Sequence, residues 1–332
     1  MIFHPIVIAL YVSSILISFI ILYSAFFAIQ ILLRWDIRSG SELQLTLERK
    51  TYLISTLLMY LFGFELLSLF LYVFTADQLH TFFVGAMCAA GSLYVNVYGY
   101  PALVLKLLNF LLAGLWLILN YTDNRAYDYP LIKKKYSLLL ILTPLIIAEM
   151  ILQANYFLRL RPNIITSCCG SLFSAGGAIL GSEVVAFPAG PMKIAFYLSM
   201  ALTAALGIYY YLKGKGGYLF SFGSAVTFIV SLLSVFSFIS LYFYELPTHH
   251  CPFCILQKEY GYVGYPLYLT LLGGTISGTG VGMLMPFKKI ESLSEIVPSI
   301  QKKLTLASLI LFFIFTTIVT YRMVFSEFIL EG

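Results

Sequence analysis

Two histidines and two cysteines stand together near residue 250, in the stretch His249-His250-Cys251-Pro252-Phe253-Cys254. Proline is common in the first turn of a helix, because that position needs no backbone N–H. Pro252 therefore predicts that a helix starts here, with Cys251 near its N-cap, where the helix dipole and His250 would favour a thiolate. Cys254 would lie one turn further along, near enough to close a small disulfide ring. We interpret the pair as a redox-active dithiol, with a structural disulfide or a pair of metal ligands as alternatives.

A second cysteine pair, Cys168 and Cys169, lies in segment 160–192, which is rich in glycine and serine. A disulfide between adjacent residues forms a strained ring that is easily reduced. The pair is therefore a labile disulfide, or a dithiol that binds a soft metal, or two thiols with different partners. The fifth cysteine, Cys88, is most simply a small packing residue, and as the odd thiol it is also available to pair with one of the others.

The composition decides what kind of element must position these side chains. Of the 332 residues, 60% are hydrophobic and only 11% are charged, whereas soluble domains carry about a quarter charged residues. Apolar runs of about 20 residues, long enough to cross a bilayer, recur along the chain. This excludes a soluble protein, a disordered protein, a nucleic-acid binder and a large catalytic domain outside the membrane.

Hydropathy and charge together predict an all-α polytopic membrane protein with eight transmembrane helices and both termini outside. The predicted spans are 5–33, 51–75, 101–121, 137–157, 194–212, 218–244, 262–285 and 304–325. Basic residues in short loops stay on the cytoplasmic side. Most of the 20 basic residues fall in four loops, as Arg34, Arg38, Arg49, Lys50, Arg125, Lys133, Lys134, Lys135, Lys213, Lys215, Lys288, Lys289, Lys302 and Lys303. These loops share one side only if 81–97 does not cross, so segment 80–100 is predicted to be an outer re-entrant or interfacial segment.

On this topology every cysteine and every histidine lies at or near the outer face, including His4 and His80. The outer compartment of a bacterial or archaeal plasma membrane is oxidising, so paired thiols there can form disulfides.

The first span lacks a basic flank and a cleavage site, which indicates a permanent helix. The net charge of +5 lies mainly in the inner loops and indicates contact with anionic lipid headgroups rather than nucleic acid.

The stretch from Cys251 to Lys258 resembles a family signature. Cys-Pro-Phe-Cys-Ile-Leu-Gln-Lys is similar to the C-x-x-C-x-x-Q-R motif of the disulfide bond formation protein B family, with Lys258 in place of arginine. The order of spans over 137–285 resembles the four-helix bundle of the vitamin K epoxide reductase family. That family has a cysteine pair in the outer loop after its first helix and C-x-x-C at the outer start of its fourth. The chain thus divides into an N-terminal membrane region, 1–136, the bundle, 137–285, and an inner amphipathic loop with the final span, 286–332.

Both families are quinone-linked thiol oxidoreductases, and the resemblance implies roles for the matching residues. Cys251 and Cys254 would pass electrons to a membrane quinone, and Cys168 and Cys169 would exchange with an outside dithiol protein. Gln257 and Lys258 of the motif would contact the quinone, and Glu149, an acid inside a predicted span, is a further candidate contact because quinone reduction needs two protons. The four tyrosines that follow the motif are more simply interfacial anchors: Tyr260, Tyr262, Tyr265 and Tyr268.

Ionisable residues also lie inside predicted spans, where they usually pair or carry protons. A flexible Lys106 would be able to reach Glu65, which predicts an ion pair between helices, with a proton path or a quinone contact as the alternative. Glu149, with Gln153 one turn later, forms a second polar patch.

Three glycines, Gly274, Gly278 and Gly282, repeat at four-residue spacing, which predicts close helix packing.

The leading hypothesis is a membrane thiol–disulfide oxidoreductase that moves electrons between an extracytoplasmic dithiol and a quinone, with Cys251 as the exposed attacking thiol. The alternative is a metal-handling membrane protein that binds copper, zinc or an iron–sulfur group. Its ligands would come from Cys168, Cys169, Cys251, Cys254, His249 and His250. The third hypothesis is a non-catalytic membrane subunit, with respiratory-complex subunits as partners, in which disulfides only link the outer loops.

Overall fold

The eight predicted spans are present as helices in a computed structural model, which describes residues 4–37, 39–161, 164–166 and 188–328. The α-helices are α1 (Pro5–Arg34), α2 (Glu42–Gln78), α3 (Ala89–Tyr94), α4 (Gly99–Asp123), α5 (Ile132–Leu158), α6 (Ala189–Lys213), α7 (Gly217–Ser234), α8 (Ser240–Tyr244), α9 (Gly264–Leu284) and α10 (Ile296–Phe325). A π-turn, Val235–Ile239, joins α7 and α8 into one span. The described part of the chain has no β-strand, which confirms the all-α class.

The segment between α2 and α4 contains no helix long enough to cross a membrane. It contains only the 3₁₀ turn Leu79–Phe82 and the six-residue helix α3, whereas a crossing helix needs about 20 residues. This agrees with the eight-span topology. Its re-entrant position, like the location of the termini, stays a prediction.

Many large apolar side chains on the long helices are exposed, as lipid contact requires. Phe19, Leu33 and Phe313 are each more than two-thirds exposed, although a water-soluble fold would bury most such side chains. The chain is therefore an integral membrane protein that contacts lipid through these helices.

The chain forms two compact units, whose described residues fall in 1–75, 96–161 and 287–297 for the first and in 76–95, 162–286 and 298–332 for the second. Helix α5 belongs to the first unit, and most of α10 belongs to the second. In the first unit, α5 packs against α1 and α4.

A buried ion pair links α4 to α5 inside the first unit. The Lys135 ammonium lies 2.8 Å from the Asp123 carboxylate, and neither side chain is exposed. Lys135 was predicted to be one of the basic residues of an inner loop, and its burial against Asp123 corrects that prediction. Lys133 and Lys134 are exposed, as expected for loop charges.

The glycine stripe of α9 lies at the closest helix contacts of the second unit. A Cβ atom added to Gly278 would lie 2.2 Å from the hydroxyl oxygen of Ser224 on α7, and one added to Gly282 would lie 2.3 Å from that of Ser221. The Ser308 hydroxyl of α10 donates a hydrogen bond to the Gly274 carbonyl. The predicted packing role of these glycines is therefore confirmed, and α9 is held closely between α7 and α10.

Candidate functional site

Three cysteines from two distant parts of the chain meet in the second unit. The sulfur atoms of Cys88, Cys251 and Cys254 all lie within 4.8 Å of one another, and their residues are 0%, 0% and 4% exposed. We call this group the thiol cluster. The sulfurs of Cys88 and Cys251 are 3.5 Å apart, compared with about 2.05 Å in a disulfide bond, so these two atoms are in contact without being bonded to each other.

The loop that carries Cys251 and Cys254 does not open a long helix. Cys254 begins a single 3₁₀ turn, Cys254–Leu256, and α9 starts only at Gly264. The intervening Gly261 and Tyr262 both have positive φ angles, which interrupt any helix that continues from the motif. The predicted position of Cys251 at a helix N-cap is therefore wrong, and the dipole argument for its thiolate does not apply. Cys251 is also buried, so the prediction that it is an exposed attacking thiol is wrong.

Two tyrosine hydroxyls hold the backbone of this loop. Tyr244, at the end of α8, donates to the Cys251 carbonyl at 2.5 Å and accepts from the Ile255 N–H at 2.9 Å. Tyr268 donates to the Pro252 carbonyl at 2.6 Å. Tyr268, one of the tyrosines predicted to be interfacial anchors, fixes the loop from α9. Tyr244 was not recognised from the sequence, since an aromatic residue at the end of a span is ordinary.

The segment around Cys88 is joined to the same loop through Asp77 and Gln257. One Asp77 carboxylate oxygen accepts from the Ala89 N–H at 3.2 Å and from the Gln257 amide at 2.9 Å. The same amide also donates to the Met87 carbonyl at 2.9 Å. Gln257, predicted to contact a quinone, is thus observed as a link that places Cys88 beside Cys251.

The two histidines of the motif have different surroundings. The Nε2 atom of His249 lies 3.3 Å from the Cys254 sulfur, and its ring meets the Tyr244 ring edge to face. Burial lowers the pKa of the His249 imidazole; Cys88 opposes this shift and His250 adds to it. The neutral ring, whose free nitrogen can bind a metal, is therefore favoured near neutral pH.

His250 is turned toward the π-turn between α7 and α8. Its Nδ1–H donates to the Phe236 carbonyl at 2.8 Å, since a carbonyl can only accept. Within that turn the Ser240 N–H bonds to the Val235 carbonyl in place of the Phe236 carbonyl that an α-helix would use. The irregular turn thus provides an acceptor for His250, whereas His249 faces the cysteines.

Two further predicted site residues, Lys258 and Glu149, lie outside the thiol cluster. Cys168 and Cys169 fall outside the described residues. Lys258 is exposed at the start of the 3₁₀ turn Lys258–Tyr260. Glu149 belongs to the first unit, where it binds Lys106 at 2.6 Å and the Asn109 amide at 2.6 Å. Lys106 therefore pairs with Glu149, and the ion pair predicted with Glu65 is wrong in its choice of partner.

The geometry of the thiol cluster suits a soft metal ion. Three thiolates around zinc or monovalent copper, at metal–sulfur distances of about 2.3 Å, lie roughly 3.8 to 4.0 Å from one another. The observed separations, 3.5 Å for Cys88 and Cys251 and at most 4.8 Å for every pair, bracket that range. Only small side-chain movements would bring three sulfurs to a common centre.

A cleft in the second unit begins just beyond the cysteine loop. Its volume is about 510 Å³, and it is lined by Phe243, Glu259, Tyr260, Val263, Thr317, Ile318, Tyr321 and Arg322. The Tyr260 ring packs against the Tyr244 ring at 4.9 Å between centroids, and Tyr244 in turn holds the Cys251 carbonyl. The mainly apolar cleft is thus separated from the loop that carries the thiols by the rings of Tyr260 and Tyr244.

Replacing Tyr244 by phenylalanine is expected to loosen the cysteine loop. The change removes one hydroxyl and leaves a buried carbonyl and a buried N–H without their partner, at a cost of about 1–3 kcal/mol each. Alkylation of Cys251 and Cys254 by a maleimide should become at least about tenfold faster, measured by mass spectrometry of tryptic peptides. Tyr209→Phe, at a half-exposed position on α6, serves as the control. Unchanged labelling of the Tyr244 variant would contradict the role of this hydroxyl.

No protein-family model, no curated protein and no solved structure matches the chain.

Proposed function

We propose that the chain is a membrane protein that binds one soft metal ion through Cys88, Cys251 and Cys254, with His249 as a fourth ligand. The observation that carries this proposal is the convergence of three buried sulfur atoms from segments 163 residues apart. Thiolate and imidazole ligands select monovalent copper and zinc over hard cations. The site would lie on the extracytoplasmic side of the plasma membrane, as the distribution of basic residues predicts.

The surroundings of the cluster support metal binding better than exchange with a large partner. A dithiol protein must bring its own sulfur to within bonding distance of the attacked sulfur, yet Cys251 is fully buried and Cys254 nearly so. A metal ion is small and needs convergent ligands held by a second layer of hydrogen bonds. Tyr244, Tyr268, Asp77 and Gln257 form such a layer around the cysteine loop and the Cys88 segment.

The test is metal analysis of the full-length protein. Protein purified in detergent without chelator is expected to contain close to one equivalent of copper or zinc by elemental analysis. Metal-depleted, reduced protein should then take up one equivalent of Cu(I) or Zn(II) in competition with a chromophoric chelator under anaerobic conditions. Failure to bind either metal, with the three cysteines reduced, would overturn the proposal.

A thiol–disulfide oxidoreductase linked to a quinone is the second proposal, and the cleft beside the cysteine loop favours it. A substrate dithiol would lose two electrons and two protons to become a disulfide, while the quinone gains both to become a quinol. Cys251 and Cys254 would carry the electrons as a reversible disulfide, and Cys168 and Cys169 would exchange with the substrate. The cleft, lined partly by Tyr260 and Val263, has the apolar character that a quinone ring requires.

The two proposals differ in what one substitution does. If the chain is a quinone-linked enzyme, Cys254→Ser removes quinone-dependent oxidation of a reduced dithiol by the purified protein. If it is a metal-binding protein, the wild type shows no such oxidation and the substitution instead lowers metal affinity. Two oxidised disulfides in metal-free wild-type protein would favour the enzyme.

A further inference from the structure

The first unit contains three ionisable side chains inside its helices. Glu65 of α2, Lys106 of α4 and Glu149 of α5 each lie at least seven residues, or about 10 Å, from both ends of their helix. All three are at most 3% exposed. Together they form a carboxyl–ammonium–carboxyl group within the apolar part of the unit.

Glu149 has the environment of an ionised carboxylate. One of its oxygens accepts from the Lys106 ammonium at 2.6 Å, and the other accepts from the Asn109 amide at 2.6 Å. The ammonium also donates to the Ser68 hydroxyl at 3.1 Å and lies 5.5 Å from the centre of the Tyr72 ring. The single positive charge is therefore already matched by Glu149.

Glu65 is the third member of the group, and its environment differs. It lies one helical turn before Ser68, whose hydroxyl accepts from the Lys106 ammonium, and its Oε1 atom has no hydrogen-bond partner among the described residues. Asn109, whose amide is directed at Glu149, likewise has an Oδ1 atom that is buried and accepts no bond. Ionisation of Glu65 would leave a net negative charge, buried beside a second carboxylate, and a group in that position takes up a proton instead.

We infer that Glu65 is an intramembrane proton-binding site, in which Glu65 is held as a neutral carboxylic acid near the ion pair between Lys106 and Glu149. The charged groups that act on Glu65 are Glu149 from α5 and Lys106 from α4. The other titratable side chains in this polar region are Tyr72 of α2 and Tyr156 of α5, which also act on each other. One proton makes the group neutral, and loss of that proton leaves a single uncompensated charge, so the site binds one proton at a time.

The test is infrared difference spectroscopy of the full-length protein in lipid nanodiscs. Wild-type protein at neutral pH is expected to show a carbonyl stretch of a protonated carboxylic acid that shifts in heavy water and disappears on alkaline titration. Glu65→Gln should remove the band, whereas Glu42→Gln, at an exposed position on the same helix, should retain it. A wild-type spectrum without the band, or a band unaffected by Glu65→Gln, would overturn the inference.

Thermal unfolding separates this proton site from a purely structural charge. Glutamine copies the shape and neutrality of a protonated glutamate, so Glu65→Gln should melt close to the wild type. Glu149→Gln removes the carboxylate that accepts from both Lys106 and Asn109, and it should lower the melting temperature by clearly more. Equal losses in the two variants would contradict the inference, because a neutral Glu65 is copied by glutamine. A band that appears only after sodium or potassium is removed would assign the site to a monovalent cation and likewise contradict the inference.

Discussion

Replacing Cys88 by serine is expected to abolish one-to-one binding of Cu(I) or Zn(II) by the full-length protein. The serine hydroxyl is nearly the same size as the thiol, but it is a hard and weak ligand for these ions. The two remaining thiols would then hold the metal with His249 alone. We expect the affinity to fall by at least about 100-fold, since even the loss of an outer hydrogen-bond partner costs 10- to 100-fold.

The measurement is anaerobic competition with a chromophoric chelator, carried out on reduced protein so that oxidation does not imitate metal loss. Met87→Ala is the matched control, because it removes a neighbouring sulfur whose side chain is exposed. The control should retain the wild-type affinity. If Cys88→Ser also retained it, Cys88 would be no ligand and the thiol cluster would lose its main support.

The role of Cys88 was not predictable from the sequence, which showed only that an odd thiol was available to pair with another cysteine. A lone cysteine in the stretch Met87-Cys88-Ala89-Ala90-Gly91 looks like a small packing residue, and Cys251 follows it only 163 residues later. Only the tertiary fold brings it to Cys251. The sequence feature that could have pointed to this contact is Asp77, an acidic residue among apolar ones. Its hydrogen-bond partners, Ala89 and Gln257, lie in the Cys88 segment and in the cysteine loop.

The eight helices were predictable because an apolar run of about 20 residues has few structures open to it in a bilayer. The start of α9 was not. Pro252 allows a helix to begin at the motif, but the chain first passes through Gly261 and Tyr262 with positive φ angles. The helix propensity of Pro252 was therefore outweighed by the tertiary contacts of the loop, which place Cys254 beside Cys88.

Removal of the Asp77 carboxylate is the second change for which we expect a large effect on the site. Asp77→Ala deletes the acceptor shared by the Ala89 N–H and the Gln257 amide, so the Cys88 segment and the cysteine loop lose their common hydrogen-bond partner. Metal affinity should fall by about 10- to 100-fold, although Asp77 is not itself a ligand. Alkylation of Cys88 should also become faster, because the segment that buries it is less constrained.

A double-mutant cycle tests whether Asp77 acts through Gln257. Gln257→Ala alone should lower the affinity less than Asp77→Ala, because Asp77 keeps its bond to Ala89. The double variant should lose less affinity than the sum of the two single losses, because both single variants remove the same Asp77–Gln257 bond and the double variant loses only the Gln257–Met87 bond in addition to the Asp77 bonds. Glu259→Ala, which removes an exposed carboxylate from the same loop, controls for a change in local charge. Additive losses would mean that Asp77 and Gln257 hold the two cysteine segments independently, and an unchanged Asp77→Ala affinity would mean that the cluster is positioned without them.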